Sequence, residues 1–379
     1  MHEYGPDGGW AEGPGYWSYA TRYTVYLLAA LQTALGTDGG LSKTPGFDKA
    51  GDFRFYFVGP TDLTFNYADA SDKAGSPAEM FWLARRFDQP LYAWHERQCK
   101  SDGDPMNLLW FDPRGDGPKA AGLPLDRVFR GVNVAFLRSA WQDQDALFVA
   151  FKGGSNKANH SHLDLGTFVL DALGQRWALD LGGDDYNLPG YFGNKRWTYY
   201  RLMTESHNTL LISGENQNPR AKAPVVAFAS ANGVGSAVAD LTAAYPKARS
   251  VQRGIRMEGA RRIIIQDEVE ADAPLEVLWG MLTFAKPAAQ GPAVVLEQGG
   301  KRMYGRILAP AGATFDTVGA NPPPPQRQQP DAKKLVVRLP EKVKSLRLVV
   351  VFSPDPAGAG PDASAVKPLA EWPGRIAPQ

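Results

Sequence analysis

Pro113-Arg114-Gly115-Asp116-Gly117-Pro118, inside residues 113–126, is where the pattern of this 379-residue chain changes. Two prolines and two glycines in six positions break any regular element. Upstream, apolar residues recur at helical spacing. Tyr19, Tyr23, Tyr26, Leu27, Ala30 and Leu31 predict a helix from about Ser18 to Leu35, closed by Gly36, and Pro90 separates two more at Ala78 to Phe87 and Leu91 to Gln98. Downstream the period shortens to that of strands. Val132–Phe136, Leu147–Phe151, Leu165–Leu170, Trp177–Leu181, Thr209–Ile212, Ile263–Asp267, Leu275–Leu282, Leu335–Leu339 and Leu346–Phe352 follow with no helical pattern between them. The class is therefore α+β, with a helical domain over residues 1–120 and a large antiparallel β-sandwich over 121–379. Residues 321–330, with four prolines in a row, suit an exposed loop between strands. The Gly- and aromatic-rich stretch from Asp7 to Tyr19 reads as a loop that presents aromatic side chains.

Composition removes several classes of function. Lys and Arg total 41 against 40 Asp and Glu, a net charge of +1, so no global field recruits nucleic acid. Cys99 is the only cysteine, which leaves the redox compartment open. No apolar run reaches the roughly 18 residues of a membrane span, and the first residues carry neither a basic region nor an apolar core, so no signal peptide is expected. The expectation is a soluble protein with no membrane partner.

The chemistry concentrates in Asn159-His160-Ser161-His162-Leu163-Asp164-Leu165-Gly166, followed by Asp180 and by His207 in Ser206-His207-Asn208-Thr209. Three of the five histidines sit in this one segment. If the first stretch is extended, His160, His162 and Asp164 share a face. His162, Asp180 and His207 offer two nitrogens and an oxygen, a set suited to zinc. A simple hairpin turning at Leu173-Gly174 would leave Asp180 about 13 Å from His162 along the strand. Closure needs a bend before the strand begins, or Asp184 or Asp185 as the ligand instead. A different enzyme class also fits: His162, Asp164 and His207 spell the two-histidine, one-carboxylate triad of non-haem iron oxygenases, with Arg220 free for an oxoacid.

Taken in order, Asp7-Gly8-Gly9-Trp10, Glu12-Gly13-Pro14-Gly15-Tyr16-Trp17-Ser18-Tyr19, the histidine segment through Phe168, Asp180-Leu181-Gly182 with Tyr186, and Ser206-His207-Asn208-Thr209-Leu210 closely resemble the heparinase II/III-like polysaccharide lyases. The resemblance spans residues 7 to 212 and implies the end of an (α/α) toroid, hence a partial toroid, ahead of the sandwich. It implies β-elimination on uronate-containing acidic polysaccharides, such as glycosaminoglycans or alginate, with Tyr19 as base and acid, His160 assisting, and His162, Asp180 and His207 holding a structural zinc. Tyr16 competes with Tyr19 for the tyrosine role. Trp17, Tyr186, Tyr191 and Trp197 are candidate sugar platforms, and Arg201 or Arg220 candidate partners of substrate acid groups. Members of the family carry a longer toroid before the aromatic loop, so either a missing N-terminal portion or a further subunit, a homo-oligomer included, is expected to complete the groove. Periplasmic or secreted location follows from the same resemblance. A non-catalytic carbohydrate-binding remnant is the remaining alternative, and it would hold Tyr19 and His160 far apart.

Overall fold

The computed structural model describes residues 1–100, 103–360 and 367–377. Its helical part holds α1 (Gly13–Leu35), α2 (Ala50–Phe57), α3 (Glu79–Phe87) and α4 (Pro90–Gln98). Proline stands in the first turn of both α1 and α4, where its missing N–H costs nothing, and Gly36 ends α1 in the left-handed region. Helix α1 begins five residues before the expected start. Tyr16, Trp17 and Tyr19 therefore ride its first turns rather than a loop. Helix α2 escapes a periodicity test because Phe53, Phe55, Tyr56 and Phe57 are apolar all round; all four are buried.

Every strand pairing is antiparallel. A five-stranded sheet runs, in spatial order, Arg127–Phe129, Val134–Arg138, Phe148–Lys152, Phe168–Ala172 and Gln175–Ala178. An eight-stranded sheet, from Lys286–Gln290 at one edge to Val225–Ala231 at the other, has Arg262–Leu275 and Val343–Ser353 adjacent at its centre. A four-stranded sheet contains Leu210–Ile212 beside Val277–Thr283. The proline run lies between Thr314–Gly319 and Lys333–Arg338, as expected of a connection between strands.

The five-stranded sheet is apolar on both faces, and alternation decides what each face meets. Phe136, Phe148, Ala150 and Val169 join the core of the helical part, with Trp17, Phe53 and Phe57. Ala135, Leu137, Val149, Phe151 and Leu170 join the core of the large sheet, with Ile255, Ile263, Val350 and Phe352. Each buried phenylalanine contributes about 2–3 kcal/mol. The sheet is thus a shared middle layer that couples the helices to the sandwich.

One buried charge in the large sheet reaches back to the functional segments. Arg253 donates to both oxygens of Asp267 at 2.7 and 2.8 Å, and its remaining nitrogen bonds the carbonyls of Gly166 and Asn208. Neither side chain of the pair is exposed. Removing one partner strands the other charge in the core, so Asp267→Ala should destabilise by about 3–5 kcal/mol, read as a shift of the urea midpoint.

Glu79 on α3 is a second buried acid, with Arg22 Nε 3.8 Å away. Burial pushes its carboxyl from 4.5 up to about 7. Between those values the folded chain holds a proton that the unfolded chain has lost, so this group favours folding most at low pH and least once pH exceeds about 7. Glu79→Gln should flatten that slope. Unfolding free energies from urea curves at pH 5.5 and 8 should differ by about 2 kcal/mol more in the parent chain than in the variant.

Candidate functional site

The histidine segment is not extended. Residues 159–167 form turns and bends, and regular strand starts only at Phe168. His160 takes φ +56° and Gly166 φ +85°, which turns the segment before the strand begins. This bend removes the 13 Å gap. Ligand-type atoms of His162, Asp180 and His207 all lie within 4.8 Å of one another, and all three residues are buried. Asp184 and Asp185 are outside that group.

His207 is delivered by its neighbours. Asn208 Nδ2 donates to the carbonyls of Phe168 and Leu179, and its Oδ1 accepts from the N–H of Leu282. Thr209 Oγ1 donates to Leu165 at 2.8 Å. On the Asp180 side, Gly182 approaches the helical part so closely that a Cβ would stand 2.3 Å from the carbonyl of Ala70. Only glycine fits there, and its φ of +62° agrees.

Asp69 is the residue that sequence reasoning missed. Its carboxylate is fully buried where the helical part meets the sandwich. Oδ1 accepts from His162 Nε2 and from the Tyr191 hydroxyl, both at 2.8 Å. Oδ2 accepts from His160 Nδ1 at 3.1 Å, the Tyr186 hydroxyl at 3.2 Å and Arg196 at 3.3 Å. Burial opposes ionisation, but the His162 bond and charge, Arg196 and Tyr191 outweigh it and hold the carboxyl well below the usual range. No sequence signal marks it; in the structure Ala68, immediately before it, sits at φ +60°, costly for a residue with a Cβ.

His162 and His207 each keep one ring nitrogen free. His162 Nδ1 and His207 Nε2 are buried with no hydrogen-bond partner, while Nε2 of the first is held by Asp69 and Nδ1 of the second by Asp180 at 2.8 Å. Burial depresses the pKa of His162 against the pull of Asp69, favouring the neutral, metal-binding form. Burial works against the Asp180 charge, but His207 outweighs it and keeps the carboxyl below its usual range. Two orphaned imidazole nitrogens beside an ionised carboxylate fit a divalent cation, with Asp69 orienting one ligand from behind.

Asp164 does not join them. It is buried against Lys152, which leaves the His162, Asp164 and His207 oxygenase triad unassembled. His160 also leaves the expected common face: its ring stacks on Tyr16, with centroids 4.0 Å apart and planes 20° from parallel. Tyr16 in turn shares a 2.9 Å hydroxyl contact with Tyr186. Tyr19 is one step further out, its ring 6.4 Å from that of Tyr16 and 61% exposed.

Two expected substrate contacts are corrected. Trp17 is fully buried, its indole N–H donating to Ala50 at 3.1 Å, and it packs the helical core. Arg201 is 4% exposed and donates to the carbonyls of Leu181, Gly183 and Arg327, so it braces the loops around Asp180. Tyr191 is buried on Asp69, whereas Tyr186 keeps an exposed ring edge and Arg220 is exposed. A cleft of about 850 Å³ opens beside the group, with Asn66, Asp69, Asp180 and Tyr186 in its wall.

With this geometry in view, comparison with known proteins decides the family. The model described as Heparinase II/III-like, C-terminal, matches residues 124–344. The chain belongs to that family. Among solved structures it is similar to the Heparinase III-BT4657 gene product (TM-score 0.70, 17% identity, 92% of this chain and 52% of that one). It is likewise similar to heparan sulfate lyase HepC from Pedobacter heparinus (TM-score 0.72, 17% identity, 92% and 53%). A chondroitin AC lyase from Streptomyces coelicolor A3 is more distant, at TM-score 0.51 and 13% identity, with 95% of this chain and 56% of that one covered. At these identities the likeness is one of fold. The chain of this heparinase II/III-like protein spans about half the length of those structures. No curated protein matches it in sequence. No helix among the described residues is long and apolar enough to cross a membrane.

Because Asp69 orients His162, Asp69→Asn should weaken binding of an added divalent cation at the His162, Asp180 and His207 group about 10- to 100-fold while the fold persists, measured by competition with a chromophoric chelator. His207→Ala should abolish stoichiometric binding, and chelation of the parent chain should lower its thermal midpoint.

Proposed function

We propose that this chain carries the β-elimination centre of a polysaccharide lyase acting on uronate-containing acidic glycans. The supporting observation is the stack of Tyr16 on His160 at the mouth of the Asp69 network. Elimination needs a base for the C5 proton beside the uronate carboxylate, an acid for the departing C4 oxygen, and positive or hydrogen-bonding groups for the charge that develops. Asp69 accepts from His160 Nδ1, so the neutral imidazole presents Nε2 outward, 3.9 Å from Glu12 Oε2. That nitrogen is placed to take or share a proton. The hydroxyls of Tyr16 and Tyr186 stand beside it, and burial together with the Tyr16 contact raises the Tyr186 pKa, keeping Tyr186 protonated as a donor.

Tyr16 is the favoured base and acid because its ring already touches His160; Tyr19, the residue picked by the family motif, flanks it as an exposed ring. One hydroxyl can remove the C5 proton and return it to the leaving oxygen. His162, Asp180 and His207 would hold zinc, which when bound pins the loop that carries His160 and supplies no reacting group. Periplasmic or extracellular action follows from the substrate class.

The test is ultraviolet absorbance of the unsaturated uronate on heparin, heparan sulfate, alginate and hyaluronan. Tyr16→Phe and His160→Ala should each lower turnover at least 100-fold, as loss of a proton-transfer group does. Tyr19→Phe should retain turnover and raise KM. The reverse result for the two tyrosines would return the role to Tyr19. Binding of these glycans with no unsaturated product on any of them would support the non-catalytic carbohydrate-binding alternative.

A further inference from the structure

A second, smaller cavity of about 210 Å³ lies on the other side of the 69–73 loop, in the helical part. Gly15, Ser18 and Arg22 line it from α1, joined by Arg54, Lys73 and Ser76. Its wall holds three cationic side chains and, among the described residues, no carboxylate.

Several features make the lining of the cavity cationic. Arg54 is almost wholly buried, and its nitrogens donate to the carbonyls of Ala74 and Gly75 and to His95, which fixes its charge in place and shapes the 74–75 turn. Arg22 Nε is buried without a hydrogen-bond partner. The nearest acid behind it, Glu79, sits 3.8 Å away and is itself disfavoured as an anion by burial. Glu96, another acid behind the wall, accepts from Ser76, and Asp104 acts on Glu79 from the same side. Lys73 is exposed at the rim. Helix α1 also begins here, and its N-cap Glu12 makes no side-chain cap, so the first-turn N–H groups and the positive end of the dipole add to the cationic lining.

The position relates the cavity to the proposed reaction centre. Gly15, Ser18 and Arg22 fall at i, i+3 and i+7 on one face of α1, while Tyr16, Tyr19 and Tyr23 occupy the adjacent face. The tyrosine rings form a row, with centroid separations of 6.4 Å and 4.8 Å, that starts at His160 and runs outward along the helix. Flat rings suit the apolar faces of pyranoses, and a pocket of guanidinium, ammonium and hydroxyl donors suits an oxyanion.

We propose that this cavity is an anion subsite that takes a carboxylate or sulfate substituent of a glycan lying along the tyrosine row. The ligand class rests on the lyase reading; the site itself rests on the cavity and its charges. The experiment is calorimetric titration of the full chain with a heparin tetrasaccharide, with its desulfated counterpart that keeps the uronates, and with neutral maltotetraose. Arg22→Gln combined with Lys73→Gln should weaken the heparin tetrasaccharide at least tenfold and flatten its salt dependence. Lys43→Gln combined with Lys119→Gln, at exposed lysines outside the cavity, should change affinity less than twofold. An equal loss with the desulfated form identifies the carboxylate as the bound group; a loss confined to the sulfated form identifies sulfate. Unchanged affinity in the cavity variant, an equal loss in the control variant, or no binding by the parent chain overturns the assignment. Thermal midpoints and zinc content matching the parent establish that the variants are folded. If the affinity differences hold while no unsaturated product forms, the elimination chemistry falls and the subsite stands.

Discussion

Burying an ionised carboxylate is tolerable only when nearly every lone pair is satisfied, and Asp69 meets that condition with donors drawn from three separate segments. His160 and His162 come from the bent segment before Phe168, Tyr186 and Tyr191 from the loop beyond Asp180, and Arg196 from the short helical turn that follows. The acid itself comes from the helical part. One side chain therefore decides how the helices sit on the sandwich and how the two histidines face. The His162 ring lies 5.2 Å from that of His207 with its Nδ1 left unbonded, and His160 Nε2 stands 3.9 Å from Glu12. The candidate metal group and the candidate catalytic histidine share a single carboxylate, so neither can shift without the other.

Such a network holds still only on a rigid base. The two-faced middle sheet supplies one half, because Phe136 and Val169 lock it to the helices while Leu137 and Leu170 lock it to the large sheet. Arg253 supplies the other by tying Gly166 and Asn208, which flank the histidine segment and His207, to one guanidinium in the large sheet. Backbone strain at Ala68 and His160 is carried by this packing. Local cost is accepted where two side chains must be aimed into one small volume.

Much of this was legible before any coordinates. The change of period after residue 112, Pro at the start of α4 and Gly36 at the end of α1 mark the major elements by local chemistry that tertiary contacts do not override. That His162, Asp180 and His207 could come together was legible from residue type, since two histidines and an aspartate form a donor set that suits a cation. Other features depend on contacts between distant segments. Asp69 stands among ordinary loop residues, and nothing nearby announces that residues some ninety positions later will converge on it. Trp17 and Tyr16 are neighbours with similar chemistry, yet a rotation of about 100° along α1 sends one into the core and the other onto His160. Arg201 reads as a free cation until the carbonyls of Leu181, Gly183 and Arg327 are seen around it. The strands over residues 225–258 and 286–319 were missed because alanine, glycine and charged residues dilute their alternation.

The charges around the centre bear on how an acidic chain would enter. The large cleft beside Tyr186 is walled by Asp69, Asp72, Asp180, Asp184 and Asp185, and its arginines are partly spent: Arg176 pairs with Asp171, and Arg201 is occupied by carbonyls. A polyanion laid there would meet like charge at close range, with low-dielectric walls to strengthen the repulsion. The α1 side differs in sign and texture, offering Arg22, Arg54 and Lys73 beside a row of exposed tyrosines that leads to His160. For an acidic glycan the approach along α1 is therefore the favourable one, and the acid-rich cleft suits groups that carry no negative charge, such as a neutral sugar or water. Asp69 and Asp180 then serve the histidines through hydrogen bonds, Asp69 to His160 and His162 and Asp180 to His207, and their negative charge favours a bound cation between those rings.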